Sequence, residues 1–210
     1  MQYQTGRKSS QPDKRGEILQ AAATQFAENG FAAVSIRDLA RAVNTTPAAL
    51  YHHFSGKEAI YRATLEFVFS DKARATSDLA KGQEAPEVML ERLIVWLTRQ
   101  FSDNPIMTRL LQRELLTGDK ERIKLLTKEV VAAPFREIES LMRRLAPDHD
   151  DTLSAVSVLS LVLGYVELTP VLEEMTGQPV THERDMAFAN HASHLVLQGL
   201  SPQPDAGKVQ

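Results

Sequence analysis

The chain of 210 residues contains no cysteine and no run of 20 residues free of Asp, Glu, Lys and Arg. Without cysteine there is no disulfide scaffold, thiolate metal site or cysteine nucleophile, and a reducing cytoplasm is a fitting environment. The apolar stretch 152–166 has 15 residues without a charge and is closed by Glu167, whereas a membrane-spanning helix needs about 20. Residues 1–11 are polar and lack the apolar centre of a signal peptide. We therefore expect a cytoplasmic protein without a membrane segment, in which 152–166 is a helix buried in a core or at a subunit interface.

Motifs of the common enzyme classes are also missing. The sequence contains no glycine-rich phosphate loop, no G-x-S-x-G and no H-E-x-x-H. His191 and His194 are three residues apart, which can bring two imidazoles together on a helix, but no other strong ligand accompanies them. We expect no catalytic site, no metal and no cofactor.

Charge is unevenly distributed along the chain. The net charge is −3, but residues 1–62 carry 8 Lys and Arg against 5 Asp and Glu, and the remainder carries 16 against 22. A basic N-terminal part suits contact with a polyanion. Apolar residues make up 43% of the chain, enough for a packed core.

The hydrophobic pattern is helical throughout, and no alternating strand pattern occurs. We predict an all-α fold in which Pro134 kinks or splits one helix and Pro170 ends another. After a long helix at 57–81, the remaining helices are predicted near 86–102, 105–117, 119–145, 150–169 and 181–200.

The first two predicted helices have clear start and stop signals. The first covers 13–29, with Asp13 as its N-cap and with Gly30, which can take the left-handed conformation, at its end. The second begins at Ser35, and Asp38 stands three residues later, as in a capping box.

A third helix follows after a tight turn. Asn44 occupies the position where a left-handed residue is needed, Thr46 is an N-cap and Pro47 is the first helical residue. Ser55 and Glu58 have capping-box spacing at the start of the long helix. Two short helices joined in this way predict a helix-turn-helix.

A helix-turn-helix must dock one face of its second helix and present the other to the DNA major groove. Leu50 and Phe54, four residues apart, form the docking face. The outward residues are small, or carry hydroxyl and imidazole groups suited to phosphate: Pro47, Ala48, Ala49, Tyr51, His52 and His53.

Residues 14–62 resemble the DNA-binding domain of TetR/AcrR-type transcriptional repressors. The motifs that carry the resemblance are Ile18–Phe26, Gly30-Phe31, Ser35–Ala40, Leu50–Phe54 and Lys57–Tyr61. The resemblance implies an N-terminal helix-turn-helix domain at 13–62 and a C-terminal helical ligand-binding and dimerisation domain at 63–200. Residues 1–12 and 201–210 are predicted to be flexible tails.

The resemblance also implies contacts to the DNA backbone. Ser35 and Thr46 would cap their helices and touch phosphates, and Lys57 would do so from a helix N-terminus. The other implied phosphate contacts are Tyr51, His52 and His53. Simpler roles stay open for these residues: packing for Tyr51, plain exposure for the histidines and a solvated charge for Lys57.

Base readout is implied for fewer residues. Arg37 stands at a position that reads guanine in some members of the family, although an ion pair with a nearby aspartate is the alternative. Pro47, Ala48 and Ala49 lie at the positions nearest the bases, and the two alanines have no hydrogen-bonding side chain. This raises the share of indirect readout. The sequence departs from the usual family pattern at Asn44, where glycine is commonest.

One helix-turn-helix reads few bases, so the resemblance implies a homodimer on a near-palindromic, double-stranded DNA operator with half-sites about one helical turn apart. Helices near 150–169 and 181–200 carry more apolar residues than one face needs, and pairing them across a two-fold axis makes a four-helix bundle. The alternative is that this surplus fills the monomer core.

The middle helices contain large soft side chains beside a few polar groups, which is what a ligand cavity needs. We name as candidate pocket residues Trp96, Arg113, Phe135 and Tyr165, with an ordinary core as the alternative. The sequence thus predicts a repressor that a small-molecule inducer releases from its operator. The alternatives are an activator and a helical sensor of the same fold that acts through protein contacts.

Overall fold

The computed structural model describes residues 14–200. The predicted cap Asp13 and the predicted tails 1–12 and 201–210 lie outside this range. Within it the regular structure is helical and no strand occurs, as the all-α prediction requires. The helices are α1 Lys14–Ala33, α2 Ile36–Ala42, α3 Pro47–His53, α4 Lys57–Lys81, α5 Pro86–Asp103, α6 Pro105–Thr117, α7 Lys120–Leu126, a π-helical turn Thr127–Val131, α8 Ala132–Leu145, α9 Asp151–Thr176 and α10 His182–Gly199.

Helix α1 bends sharply near its end at Gly30. This residue has φ 77° and ψ 161°, a backbone conformation that is essentially restricted to glycine. A Cβ at this position would lie 3.2 Å from Nη1 of Arg113. The helix is therefore interrupted at Gly30 as predicted, but the residue does not take the predicted left-handed helical conformation, and α1 continues after the bend to Ala33.

The predicted effects of two prolines had different outcomes. The helix predicted at 119–145 is split by the π-helical turn just before Pro134, which has no N–H to donate to the carbonyl of Val130. Pro170, in contrast, does not end α9, and that prediction is wrong. The helix continues to Thr176 because Gly177 (φ 64°) supplies the left-handed C-cap, with its N–H bonded to the Glu173 carbonyl.

Two hydrophobic clusters organise the described residues. The first unites α1–α3 and the start of α4 with Met107 and Leu110 of α6 and with Leu126 and Val130 near the π turn. The second joins the end of α4 to α5, α8, α9 and α10. Because α4 and the first cluster both run across the predicted boundary at 62/63, the N-terminal helices share their core with the middle of the chain. The boundary itself stays a prediction.

Helix α9 is long and apolar enough to cross a membrane by length and composition, but only 17% of its most apolar window is buried. In the single chain it buries Ala155, Val158 and Val162, so the expectation of a helix buried all round is not met within one subunit. Its exposed apolar residues are Leu153, Val156, Leu161, Leu168, Val171 and Met175. Such a continuous apolar surface is typical of a contact region for another molecule.

We predict that Gly30→Ala lowers the free energy of unfolding by about 1–3 kcal/mol, because alanine cannot adopt the backbone conformation of this bend without strain. Gly199→Ala is the matched control, since a Cβ there meets nothing within 4 Å, and its change should stay within about 0.5 kcal/mol. Urea unfolding of both variants measures the difference. Equal stability of the two variants would show that the bend tolerates a side chain.

Candidate functional site

Helix α2 begins with the predicted capping box. The Ser35 hydroxyl oxygen accepts a hydrogen bond from the Asp38 backbone N–H at 3.2 Å, and the Ser35 backbone N–H donates to Oδ2 of Asp38 at 3.0 Å. The Ser35 hydroxyl and backbone N–H both stabilise the Asp38 carboxylate and lower its pKa. The Asp38 carboxylate is therefore ionised at neutral pH. The capping box that it forms with Ser35 fixes where α2 starts.

The turn between α2 and α3 has the predicted geometry. Asn44 is the non-glycine residue with positive φ, at 49°, among residues 14–200. The Thr46 hydroxyl oxygen accepts from the Ala49 N–H at 3.3 Å, and Pro47 is the first residue of α3. Lys14 adds a contact from α1 by donating to the Val43 carbonyl at 3.2 Å. Local hydrogen bonds thus define the angle between the two helices.

Helix α3 has one buried and one exposed face. Leu50 and Phe54 are 1% and 7% exposed and anchor it to the first cluster. Tyr51, by contrast, is 57% exposed. The remaining outward residues of the segment are exposed or half-buried: Thr46, Pro47, Ala48, Ala49, His52 and His53.

Two predicted DNA contacts have different surroundings. Arg37 is exposed, and it forms no ion pair within residues 14–200. The neighbouring Asp38 pairs with Arg41 instead, with Oδ1 of Asp38 at 3.6 Å from Nη1 of Arg41. Lys57 is half-buried, because its ammonium donates to the Ala32 carbonyl at 3.3 Å and lies 4.4 Å from the centre of the Phe31 ring. Arg37 is therefore the freer cation.

The start of α4 differs from the prediction. Its N-cap is Gly56, and no side chain caps the first turn, so the capping box expected from Ser55 and Glu58 is wrong. Lys57, directly after Gly56, instead anchors the first turn through its bond to the carbonyl of Ala32 in the last turn of α1.

Helix α6 is held to α1 by Arg113. Its Nε donates to the Ala27 carbonyl at 2.6 Å, and Nη2 donates to the Glu28 carbonyl. Helix α1 has no basic residue in its last turn, so Arg113 supplies from α6 the positive charge that a helix C-terminus favours. This side chain links the N-terminal helices to the rest of the chain.

A second link surrounds Phe31. The Phe31 ring packs edge-on against Tyr61, with centroids 5.0 Å apart, and the Arg122 guanidinium lies 5.2 Å from the Phe31 centroid. Nε of Arg122 also donates to the buried carboxylate of Glu114 at 2.8 Å. Burial and the nearby Glu114 carboxylate raise the pKa of Tyr61, so its hydroxyl stays neutral.

An apolar cavity of about 270 Å³ lies between α4, α5, α6, α7, the π turn, α8 and α9. Phe135, one of the four predicted pocket residues, lines it together with Phe101 and Met107. The other lining residues are Phe69, Lys72, Ala73, Thr76, Leu97, Gln100, Leu111, Leu115, Ile123, Leu126, Thr127, Val130, Val131, Pro134, Ile138, Leu159 and Leu163.

The other three predicted pocket residues do not line this cavity, because each has partners elsewhere. Trp96 contacts the lining residue Thr76 without lining the cavity itself, and its indole N–H donates to Oγ1 of Thr76 at 3.2 Å. Arg113 points to α1, as described above. The Tyr165 hydroxyl donates to Oδ1 of Asp185 at 2.9 Å, and the Tyr165 ring stacks on the Phe188 ring with their centroids 3.9 Å apart.

Taken together, an exposed helix-turn-helix on an otherwise helical chain defines a DNA-binding transcriptional regulator. Residues 18–64 match the family model described as "Bacterial regulatory proteins, tetR family". The N-terminal helices of the chain therefore form a DNA-binding domain of the TetR family.

The chain is also similar to curated relatives in sequence and to solved structures in fold. The chain is 29% identical over 139 residues to the nucleoid occlusion factor SlmA of Marinomonas sp., covering 66% of this chain and 68% of that protein. It is 32% identical over 118 residues to SlmA of Aliivibrio fischeri, covering 54% and 58%. The fold is similar to that of the TetR family transcriptional regulator PfmR from Thermus thermophilus, with a TM-score of 0.67, 24% identity, and coverage of 89% of this chain and 96% of that one.

We predict that Ser35→Ala lowers the free energy of unfolding by about 1 kcal/mol, because the first turn of α2 loses its side-chain acceptor. Ser55→Ala is the matched control, since no side chain caps α4, and it should change stability by less than about 0.5 kcal/mol. Thermal unfolding followed by circular dichroism measures both. A larger loss in the Ser55 variant would contradict the assignment of the two caps.

Proposed function

We propose that this regulator is a homodimeric repressor that a small molecule releases from a near-palindromic DNA operator. The observation that carries the proposal is the exposed N-terminal face of α3, which stands free while its opposite face is anchored by Leu50 and Phe54. Helices presented in this way enter the major groove.

The proposed DNA contacts divide into two groups. Arg37 and the exposed start of α3, at Pro47, Ala48 and Ala49, face the bases. Contacts to the phosphates come from Ser35, Thr46, Tyr51, His52, His53 and Lys57. Because the alanines offer only apolar contact, for instance to thymine methyl groups, much of the specificity would come from DNA shape and deformability.

The proposed dimer uses the exposed apolar faces of α9 and α10. Leu153, Val156 and Leu161 on α9 are exposed, as is Leu195 on α10. A two-fold pairing of these helices buries them in a four-helix bundle and places two copies of α3 on one side of the dimer. Burial against a second copy explains why a helix this apolar lies so open in one chain.

The proposed switch depends on α6, because this helix contacts both the cavity and α1. Met107, Leu111 and Leu115, at four-residue spacing, line the cavity, while Arg113 holds the carbonyls of Ala27 and Glu28. A ligand that shifts α6 would therefore move α1 and change the separation of the two copies of α3. A coupling free energy of about 1–3 kcal/mol is ordinary for such a population shift.

Footprinting on the DNA that flanks the gene tests the proposal. We expect the protein to protect a discrete, near-palindromic site, with an affinity that falls steeply as salt concentration rises. Ala48→Glu should weaken this binding by about a hundredfold or more, because it brings a carboxylate against the negatively charged groove. Quantitative footprinting at several salt concentrations gives both results.

Ala133→Glu is the matched control, since Ala133 is also exposed but lies on α8. It should leave the footprint unchanged, and both variants should keep the helical circular dichroism spectrum of the parent. Equal binding by the Ala48→Glu variant and the parent protein would refute insertion of α3 into the groove.

A second candidate function is the one that the name of the relatives gives, a nucleoid occlusion factor. The identities of 29% and 32% to SlmA proteins favour it. In this case the DNA-bound protein would act through contacts with another protein. Mapping the bound chromosomal sites separates the two candidates: a few promoter sites support a repressor, and many sites spread over the chromosome support the alternative.

A further inference from the structure

We propose that the cavity binds an elongated apolar molecule with a single anionic head, and that the ammonium group of Lys72 binds this head. The inference deepens the proposed function, because it names the chemical class of the ligand in the proposed regulatory cavity. It rests on the composition of the lining and on the fact that the Lys72 ammonium has no anionic partner among the described residues.

The lining of the cavity favours a ligand with an apolar body. Aliphatic and aromatic side chains from seven helical segments form most of the wall, and none of the lining residues is acidic. The polar residues among them are Lys72, Thr76, Gln100 and Thr127. A ligand with several charges or many hydroxyl groups would leave most of its polar atoms without partners there.

Lys72 is the charged residue of the lining. It is half-buried on α4, on the same helical face as Phe69, Ala73 and Thr76. Within residues 14–200 its ammonium has no hydrogen bond or ion pair. An ammonium group that has no protein anion beside it, next to an apolar cavity, can form a charge-assisted hydrogen bond with a ligand anion.

The neighbouring polar groups leave this role to Lys72. The Thr76 hydroxyl already donates to the Lys72 carbonyl at 2.8 Å and accepts from the Trp96 indole at 3.2 Å. Gln100 can add a neutral amide donor but no charge. A cationic ligand would be repelled by Lys72, and a neutral one would leave its ammonium unpaired.

Isothermal titration calorimetry with decanoate, decanol and decylamine, each below its micelle concentration, tests the charge preference. We expect decanoate to bind about tenfold or more tightly than decanol, since a charge-assisted hydrogen bond supports a difference of this size. Decylamine should not bind measurably. Equal binding of decanoate and decanol, or the absence of decanoate binding, would overturn the proposal.

The chain's single tryptophan locates the binding event. Trp96 contacts Thr76, and Thr76 lines the cavity. Decanoate in the cavity should therefore change the tryptophan emission with the same affinity that calorimetry gives. Calorimetric binding without any change in emission would place the ligand elsewhere and contradict the assignment of the site.

Variants at Lys72 test the residue. Lys72→Met should weaken decanoate about tenfold or more and leave decanol unchanged, whereas Lys72→Arg should keep the preference for the anion. Lys120→Met, on the exposed first turn of α7, is the control and should bind decanoate like the parent. Unaltered decanoate affinity in the Lys72→Met protein would refute the role of Lys72. Since these measurements contain no DNA, their failure leaves the footprint result, and with it the proposed DNA binding, untouched.

Discussion

The attachment of α6 to the end of α1 is the contact on which the rest of the structure depends. Arg113 reaches from α6 to two carbonyls of α1. Gly30 leaves room for this side chain because it has no Cβ atom. Beside it, Arg122 joins Glu114 to the ring of Phe31. Hydrogen bonds from charged donors to backbone carbonyls and to a buried carboxylate are the stronger kind. They fix how the DNA-binding helices sit on the remainder of the chain.

This contact also explains why the two parts of the chain act together. The first hydrophobic cluster includes residues of α6 and of the π turn, and the same two segments line the cavity. A change in cavity contents therefore acts on the surface that supports α1. Helix α4 crosses the predicted domain boundary without interruption, so it gives the N-terminal helices a second rigid connection.

Features set by neighbouring residues were predictable from the sequence. The capping box at Ser35, the left-handed Asn44 and the Thr46-Pro47 start of α3 each depend on a few adjacent positions. The true partners of Arg113 lie 85 and 86 positions away in the sequence, so local spacing does not predict them and suggests a pocket residue instead. The cavity was anticipated through Phe135 only. Lys72 was missed because one lysine on an amphipathic helix looks like any solvated charge.

The separation of the two copies of α3 in solution tests the central claim most directly. Because the chain has no cysteine, Ala48→Cys gives one spin-label position per subunit without further changes. Electron–electron double resonance should give a narrow distance distribution near about 34 Å, one turn of DNA, and decanoate should move or broaden it. A sample without any intersubunit dipolar signal, or one whose distance is far from a helical turn and ignores added operator DNA, would contradict the account.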